Sequence, residues 1–303
     1  MIKRRAFIGG SLALGASACL PPDQSPLGRL TSKLRIIEAA ANGTLGAEIF
    51  DTATGYSVGL NREARFGHCS SFKLSLAAMV LARAASGSGS LDRRVTWTQA
   101  DLMGVSPFTT HRLAEGATLG ELAEATQKYS DNAAANILLR EMGGTAALTG
   151  FWRSLGDDES RLDRIEPALN NVPVTELRDT TTPAAMARTV AAIIYGDALP
   201  EQERAVLRQW MIDTQTGARR VRAGLPNKWA AGDKTGTSIW PGIGSLYVDI
   251  GFVEPDNHPP ITFAAYFRAR DTHDGIDAAS EEALARIGDV IGDFARRDRI
   301  LPF

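Results

Sequence analysis

Cysteine, lysine and excess charge of either sign are all scarce in this 303-residue chain. Two cysteines can form at most one disulfide, so a small fold stapled by several bridges is excluded. The 33 basic and 35 acidic residues leave a formal charge of −2, which offers no electrostatic footprint for nucleic acid or an anionic membrane surface. Hydrophobic residues make up 44% of the chain, as in globular proteins. We therefore expect a protein with its own core, either an enzyme or a binding module.

The N-terminus lacks an apolar run of the roughly 20 residues that a membrane-spanning helix needs. A basic start, a short apolar run and small residues are instead typical of an export signal. Arg4-Arg5 resembles the twin-arginine type of signal, with a plain secretory signal as the alternative. We predict an export signal over residues 1–18, a spacer over 19–26 and export to the periplasm. Cys19 follows the predicted cleavage site and is a candidate for lipid attachment.

Strand-like segments stand at both ends of the remaining chain, and helix-like segments lie between them. Two short apolar runs, 44–50 and 56–60, predict a hairpin. Three strand-like runs follow residue 214. Because sequential runs of this kind pair most simply with one another, we predict an α/β (α+β) fold in two lobes. An α/β lobe would comprise 27–60 and 214–303, with a five-stranded antiparallel sheet and N- and C-terminal helices. An all-α lobe would comprise 61–213.

Ser70-Ser71-Phe72-Lys73 is the one Ser-x-x-Lys in a chain that has six lysines. Residues three apart share a helix face, so Lys73 could take the proton that makes Ser70 a nucleophile. The apolar run that starts at Phe72 predicts a helix, and Ser70 would lie near its N-terminus, where free backbone N–H groups suit a developing oxyanion. A chance pair of common residue types is the alternative.

Two further polar groups lie in the helical middle of the chain. Ser130-Asp131-Asn132 precedes a predicted helix, so it could be a helix cap or could supply a hydroxyl and a carboxamide to a site. Glu166 and Asn170 lie in a segment, 157–182, that we predict to be mostly loop, and loops of that length are usually functional. A carboxylate with a carboxamide four residues later can hold a water molecule, whereas the alternative is an ordinary polar loop.

Lys234-Thr235-Gly236 interrupts a strand-like run with a cation, a hydroxyl and a residue without a side chain. This pattern favours a strand that binds a carboxylate and lets another backbone approach closely. The alternative is a solvent-facing strand edge.

Taken in order, Ser-x-x-Lys, Ser-Asp-Asn, Glu-x-x-Leu-Asn and Lys-Thr-Gly resemble the motifs of class A serine β-lactamases. The resemblance extends from about Leu27 to the C-terminal helix. Arg164 and Asp179 match the ion pair that joins the ends of that family's Ω-loop, here 164–179.

The resemblance implies the hydrolysis of penicillins and cephalosporins through an acyl-enzyme on Ser70. Lys73 and Glu166 are alternative bases for acylation, Glu166 would activate the deacylating water, and Ser130 would pass a proton to the ring nitrogen. The backbone N–H groups of Ser70 and Thr237 would form the oxyanion hole. The remaining residues would bind substrate: Asn132, Asn170, Arg220, Lys234, Thr235, Gly236 and Thr237.

The sequence departs from the family pattern at some positions. Val105 replaces an aromatic residue common in relatives, which predicts a more open entrance. Cys69 is expected to be a free buried thiol, because Ser238 stands where some carbapenem-hydrolysing relatives have its disulfide partner. We expect no metal, no cofactor, no nucleic-acid partner and a monomer, with a β-lactam as the small-molecule partner. A penicillin-binding peptidase and a β-lactam sensor are the alternatives, and Glu166 with Asn170 argues against the peptidase.

Overall fold

The computed structural model describes residues 25–296. The predicted export signal, Cys19 and most of the predicted spacer lie outside the described residues. Within 25–296, no helix is long and apolar enough to cross a membrane.

The described residues form nine α-helices. Thr118 caps α4 by accepting a hydrogen bond from the N–H of Glu121 at 3.1 Å, and Thr182 caps α7 in the same way through the N–H of Ala185, as N-terminal capping residues do. Helix-like runs in the sequence predict α1, α2, α4, α5, α7 and α9, whereas α3, α6 and α8 were not predicted. The helices are α1 Pro26–Ala40, α2 Phe72–Ala85, α3 Pro107–His111, α4 Leu119–Lys128, α5 Asn132–Glu141, α6 Gly144–Ser154, α7 Pro183–Ile194, α8 Glu201–Ile212 and α9 Ala278–Arg296.

Nine strands are found in the same part of the chain. Five of them form one antiparallel sheet in the order β2-β1-β9-β8-β7, so the predicted five-stranded antiparallel sheet and its hairpin are confirmed. The other four strands form two small ladders, β3 with β6 and β4 with β5. The strands are β1 Gly43–Asp51, β2 Ser57–Leu60, β3 Phe66–Gly67, β4 Arg94–Val95, β5 Ala117–Thr118, β6 Thr180–Thr181, β7 Ala230–Ser238, β8 Leu246–Glu254 and β9 Ile261–Ala269.

The large sheet is covered on both faces. Successive side chains of a strand point to opposite faces, and β9 shows the consequence. Phe263 and Phe267 pack into a core with α1 and α9, whereas Tyr266 packs into a second core with Phe72 and Trp152 of the helical region. Two distinct hydrophobic cores therefore share one sheet.

The contact between the start of α2 and β7 depends on Gly236. A Cβ atom at this position would lie 2.8 Å from the Cβ of Cys69 and 2.9 Å from the backbone nitrogen of Ser70, which is too close for any side chain. The sequence prediction that Gly236 lets another backbone approach is confirmed, and the backbone that approaches is the one that carries Ser70.

Candidate active site

Ser70 lies in a short 3₁₀ helix, Cys69–Ser71, that leads directly into α2. The predicted position near a helix N-terminus is thus confirmed. The preceding residue, Cys69, has a φ of 46°, a left-handed conformation that costs a non-glycine residue energy and is common where function requires it. One turn later, the Nζ of Lys73 lies 2.9 Å from the Oγ of Ser70. The hydroxyl is therefore in direct contact with a candidate base.

Lys73 is completely buried and is the centre of a polar network. Its Nζ donates to the backbone oxygen of Ser130 at 2.8 Å and to the side-chain oxygen of Asn132, and it lies 3.2 Å from Oε1 of Glu166. Burial lowers the pKa of Lys73 below its ordinary value, while the carboxylate of Glu166 partly opposes that shift. This surrounding favours a lysine that can lose its proton.

The Ser130-Asp131-Asn132 turn is both a helix cap and part of the polar network. Asp131 caps α5 by accepting from the N–H of Ala134 at 2.8 Å, and it also accepts from the N–H of Thr109 at 2.9 Å. Ser130, at a φ of 58°, directs its Oγ to within 3.4 Å of the Nζ of Lys73 and 3.1 Å of the Nζ of Lys234. The helix cap and the contribution to a site, which the sequence left as alternatives, are therefore both present. Asp131 caps α5, and the side chains of Ser130 and Asn132 on either side of it reach Lys73.

Lys234 is buried, so the alternative of a solvent-facing edge is wrong. Its Nζ donates to the Oγ of Ser130 and, at 2.8 Å, to the backbone oxygen of Thr235. Burial and, second to it, the positive charge of Lys73 lower the pKa of Lys234 well below its ordinary value, while Asp233 opposes them. Two lysines thus contact one serine hydroxyl in a water-poor setting.

Glu166 is held in place by Asn136, a residue that the sequence analysis missed. The N–H of Glu166 donates to Oδ1 of Asn136 at 3.0 Å, and its carbonyl accepts from Nδ2 at 2.9 Å. Asn136 follows Asn132 by four residues on one helix, which places both side chains on one face. That spacing could have identified Asn136 from the sequence. Oε1 of Glu166 lies 3.4 Å from the Oγ of Ser70, and Oε2 accepts from Asn170 at 2.6 Å.

The ends of the segment that carries Glu166 are joined by the predicted ion pair of Arg164 with Asp179. Asp179 also accepts from the backbone N–H groups of Asp163 at 2.7 Å and Arg164 at 2.8 Å. Arg164 in turn donates to the carbonyl of Asn171 at 2.9 Å. A buried carboxylate with this many donors is well compensated, so the loop is closed at its base.

Arg220 is buried behind β7. Its guanidinium donates to the carbonyls of Gly236 at 2.8 Å and Val248 at 2.7 Å, and to the Oγ1 of Thr237 at 2.6 Å. Because the Thr237 oxygen accepts this bond, its own O–H is free to donate into the cleft. The Oγ1 of Thr235 lies 2.5 Å from that of Thr216. Hydroxyls backed by cations are suited to binding a carboxylate.

These side chains enclose a cleft of about 460 Å³. We refer to Ser70, Lys73, Ser130 and Glu166 as the helical wall and to Arg220, Lys234, Thr235 and Thr237 as the sheet wall. Lys73 and Lys234 lie beneath the cleft surface, and the other predicted residues line it: Ser70, Ser130, Asn132, Glu166, Asn170, Arg220, Thr235, Gly236 and Thr237. All eleven predicted residues are therefore brought together.

The rim of the cleft is apolar and exposed. Val105 is 66% exposed and Ile276 is 50% exposed, and both line the cleft. The exposure of Val105 agrees with the predicted open entrance, whereas Ile276 was not identified from sequence.

Cys69 is buried and, among residues 25–296, has no disulfide partner, as predicted. Burial raises the pKa of its thiol to about 12. It is therefore unreactive at neutral pH. Among residues 25–296, no cluster of three or more His, Cys, Asp or Glu side chains could hold a metal ion.

Comparison with known proteins gives a consistent result. Residues 29–295 match the model of the Beta-lactamase enzyme family. The chain is 40% identical over 235 residues to Beta-lactamase OXY-2 of Klebsiella oxytoca, covering 78% of this chain and 80% of that protein. It is 40% identical over 251 residues to the carbapenem-hydrolyzing beta-lactamase KPC of the same organism, covering 83% and 85%.

Solved structures agree with these relatives. An ancestral (GNCA) beta-lactamase of class A superposes with a TM-score of 0.82 at 42% identity, covering 88% of this chain and 99% of that one. A beta-lactamase from Desulfarculus baarsii superposes with a TM-score of 0.83 at 38% identity, covering 88% and 97%.

Proposed function

The chain belongs to the class A β-lactamase family, and on that premise we propose how its residues open a β-lactam ring. As a member of the family it is a serine hydrolase that hydrolyses β-lactam antibiotics and confers resistance to them. The observation that carries the proposed mechanism is the contact of one buried lysine, Lys73, with Ser70, Ser130 and Glu166.

Acylation begins with proton transfer away from Ser70. The Nζ of Lys73 lies closer to the hydroxyl, at 2.9 Å, than Oε1 of Glu166 does, at 3.4 Å. We therefore assign the base to neutral Lys73, which has passed its own proton to Glu166. The Ser70 oxygen attacks the ring carbonyl carbon, and the backbone N–H groups of Ser70 and Thr237 stabilise the oxyanion. Ser130 then donates its proton to the ring nitrogen as the C–N bond breaks, and Lys73 restores the Ser130 proton.

Deacylation requires a carboxylate near the ester. Glu166 returns its proton to Lys73 and, together with Asn170 at 2.6 Å, holds the water that attacks the acyl-enzyme. Water loses a proton to Glu166 as the ester bond to Ser70 breaks, and the proton then passes to the Ser70 oxygen. The product is the ring-opened acid.

Substrate binding is assigned to both walls of the cleft. The ring carboxylate lies against Lys234, Thr235, Thr237 and Arg220, with Gly236 keeping the strand close to Ser70. Asn132 and Asn170 face the acyl side-chain amide at the other end. This orientation places the β-lactam carbonyl between the two walls.

The organisation of the whole chain is also part of the proposal. The α/β lobe comprises 27–60 and 214–303, and the all-α lobe comprises 61–213 with the Ω-loop 164–179. The chain acts as a monomer in the periplasm, directed there by residues 1–18, with a lipid at Cys19 as a further feature. Replacing Arg4-Arg5 by Lys-Lys should abolish periplasmic activity if export follows the twin-arginine route.

Mass spectrometry with benzylpenicillin tests the mechanism. The native protein should turn the substrate over and show no lasting adduct, whereas the Glu166→Ala variant should hold a long-lived acyl group on Ser70. Glu115→Ala is the control, because Glu115 is exposed, pairs with Arg112 and does not line the cleft. A persistent adduct on the native protein would contradict the proposed hydrolysis.

A further inference from the structure

A buried carboxylate at the sheet wall is shared by two arginines. Glu281 lies in the first turn of α9 and is 6% exposed. Its Oε2 forms an ion pair with Nε of Arg219 at 2.8 Å, and its Oε1 accepts a hydrogen bond from Nε of Arg220 at 3.4 Å. Both guanidinium groups therefore contact Glu281 through Nε, which leaves their two terminal nitrogens for other partners.

The two arginines differ in what their terminal nitrogens do. The terminal nitrogens of Arg220 donate hydrogen bonds to the carbonyls of Gly236 and Val248 and to the hydroxyl of Thr237. The side chain of Arg219 is 76% exposed, and its terminal nitrogens make no hydrogen bond to any residue in 25–296. Arg219 is therefore an oriented cation whose four terminal N–H groups are available to a ligand.

Arg219 lines the cleft at the end where the proposed function places the ring carboxylate, together with Arg220, Thr237 and the half-exposed Ile276. In a cephalosporin the carbon beside the carboxylate-bearing carbon carries the second substituent of the six-membered ring. A substrate whose carboxylate contacts Thr235 and Thr237 directs that substituent along the same edge, toward Arg219 and Ile276.

We propose that Arg219, oriented by Glu281, is a specificity-determining residue that binds a negatively charged substituent on the ring carbon next to the carboxylate. Ile276 supplies an apolar surface for the flat part of such a substituent. A fixed planar guanidinium recognises an anionic, planar group well because it presents paired donors. The inference rests on the proposed function, since it takes the position of the ring carboxylate from it.

Two cephalosporins with the same acyl side chain test the proposal. Cefotaxime carries a neutral acetoxymethyl group at this ring carbon, whereas ceftriaxone carries an acidic triazine that is ionised at neutral pH. The ratio of kcat/KM for ceftriaxone to that for cefotaxime is measured for the native protein and for Arg219→Gln, Arg219→Lys and Arg93→Gln. Each cephalosporin is also measured as a competitive inhibitor of benzylpenicillin hydrolysis, so that a slow substrate still gives a ratio. Arg93→Gln is the matched control, because Arg93 is an exposed arginine paired with Glu141 that does not line the cleft.

Arg219→Gln should lower the ratio by about threefold to fivefold, as expected for an exposed ion pair, and should leave cefotaxime unchanged. Arg219→Lys should restore part of the ratio, and Arg93→Gln should not alter it. The effect should become smaller toward 1 M salt, where the Debye length is about 3 Å and exposed charges are screened more strongly.

Three results would overturn the inference: an unchanged ratio, an equal loss for both cephalosporins, or a loss that added salt does not reduce. A failure of the proposed function is distinct from these, because the native protein would then leave a lasting adduct with benzylpenicillin whatever stands at position 219.

Discussion

The two walls of the cleft are built on different principles. The sheet wall takes three of its residues from β7, with Arg220 packed behind that strand. Its geometry follows from a regular ladder in which Lys234 pairs with Ile250 and Thr235 with Asp249. The helical wall takes its residues from α2, the turn before α5 and the loop around Glu166, and side-chain hydrogen bonds converging on Lys73 hold them together.

This difference predicts a division of labour. Positions set by a backbone ladder are rigid and suit the binding of a fixed group, whereas a network of titratable side chains suits the movement of protons. We expect substitutions in the helical wall to act mainly on the chemical steps and substitutions in the sheet wall to act mainly on binding. Three substitutions and one measurement of acid stability test this division.

Lys73→Ala should lower kcat/KM for benzylpenicillin by about a thousandfold, because the loss of a positioned general base costs about 10² to 10⁴. Stopped-flow measurement of acyl-enzyme formation should show the loss in acylation. Lys128→Ala is the control, since Lys128 pairs with Glu124 on α4 and does not line the cleft. A loss of less than tenfold in a folded variant would make Glu166 the acylation base.

The second prediction concerns acid stability and His68, which lies two residues before Ser70. Its ring is buried and stacks on Trp152 at 4.8 Å. The backbone N–H of His68 donates to the carbonyl of Asp179 at 2.9 Å. Burial lowers the pKa of His68 from 6.5 to about 4, although the charge of Asp157 opposes the shift. Between these pH values the unfolded chain binds a proton that the folded chain excludes, so the free energy of unfolding falls as pH falls.

Between pH 6.5 and pH 4 the free energy of unfolding should fall by about 3 kcal/mol because of His68. Urea unfolding from pH 7 to pH 4 measures this change. His68→Leu should remove this part of the pH dependence, while the exposed His111→Leu should retain it. Amide hydrogen exchange near pH 4.5 should rise in 160–181, next to the helical wall, before it rises in β7. Equal pH dependence in the native protein and His68→Leu would refute the assignment.

On the sheet wall, Arg220→Lys should raise KM for benzylpenicillin about tenfold and leave kcat within about twofold, since a lysine keeps the charge but loses the planar set of donors. The Thr237 hydroxyl would lose its fixed donor and with it the orientation of its proton. Steady-state kinetics separate the two constants. Arg208→Lys, which alters a pair with Glu254 outside the cleft, should change neither. A fall in kcat at constant KM would break the division between the walls.

The sequence allowed one wall to be predicted more completely than the other. Lys234, Thr235 and Gly236 are consecutive, so their shared role follows from residue types in one strand. The strand pattern gave no indication of the face to which Lys234 turns, because that is decided by contact with Ser130, more than 100 residues away. The fold was predictable because apolar spacing marks strands and most helices.

Other residues escaped prediction because their roles depend on distant partners. Glu281 and Arg219 are separated by more than 60 residues and meet only when α9 packs against the short turn Val221–Gly224 that follows Arg220. The start of α6 at Gly144-Thr145 has low helix propensity, so tertiary packing of Leu148 and Trp152 forms the helix. Arg220 was selected through the family resemblance, since no local pattern distinguishes it from Arg219.

Ser238 at the end of β7 joins the two walls, and its replacement should have the smallest effect. Its Oγ donates to the carbonyl of Asn170 at 2.8 Å, and Asn170 donates to Glu166. Ser238→Ala removes one of two donors to that carbonyl, which also accepts from the N–H of Val172 at 3.2 Å. The loss costs about 1 kcal/mol, and we expect kcat to fall by about twofold to fivefold. KM should not change, because the hydroxyl acts on the residue that helps to hold the water.

Ser154→Ala, which removes an exposed hydroxyl bonded to a helix carbonyl, is the matched control. A change in KM alone would mean that Ser238 acts on substrate binding, like the sheet wall. The expected fall in kcat would mean that β7 also positions Asn170 and Glu166, the residues proposed to hold the deacylating water.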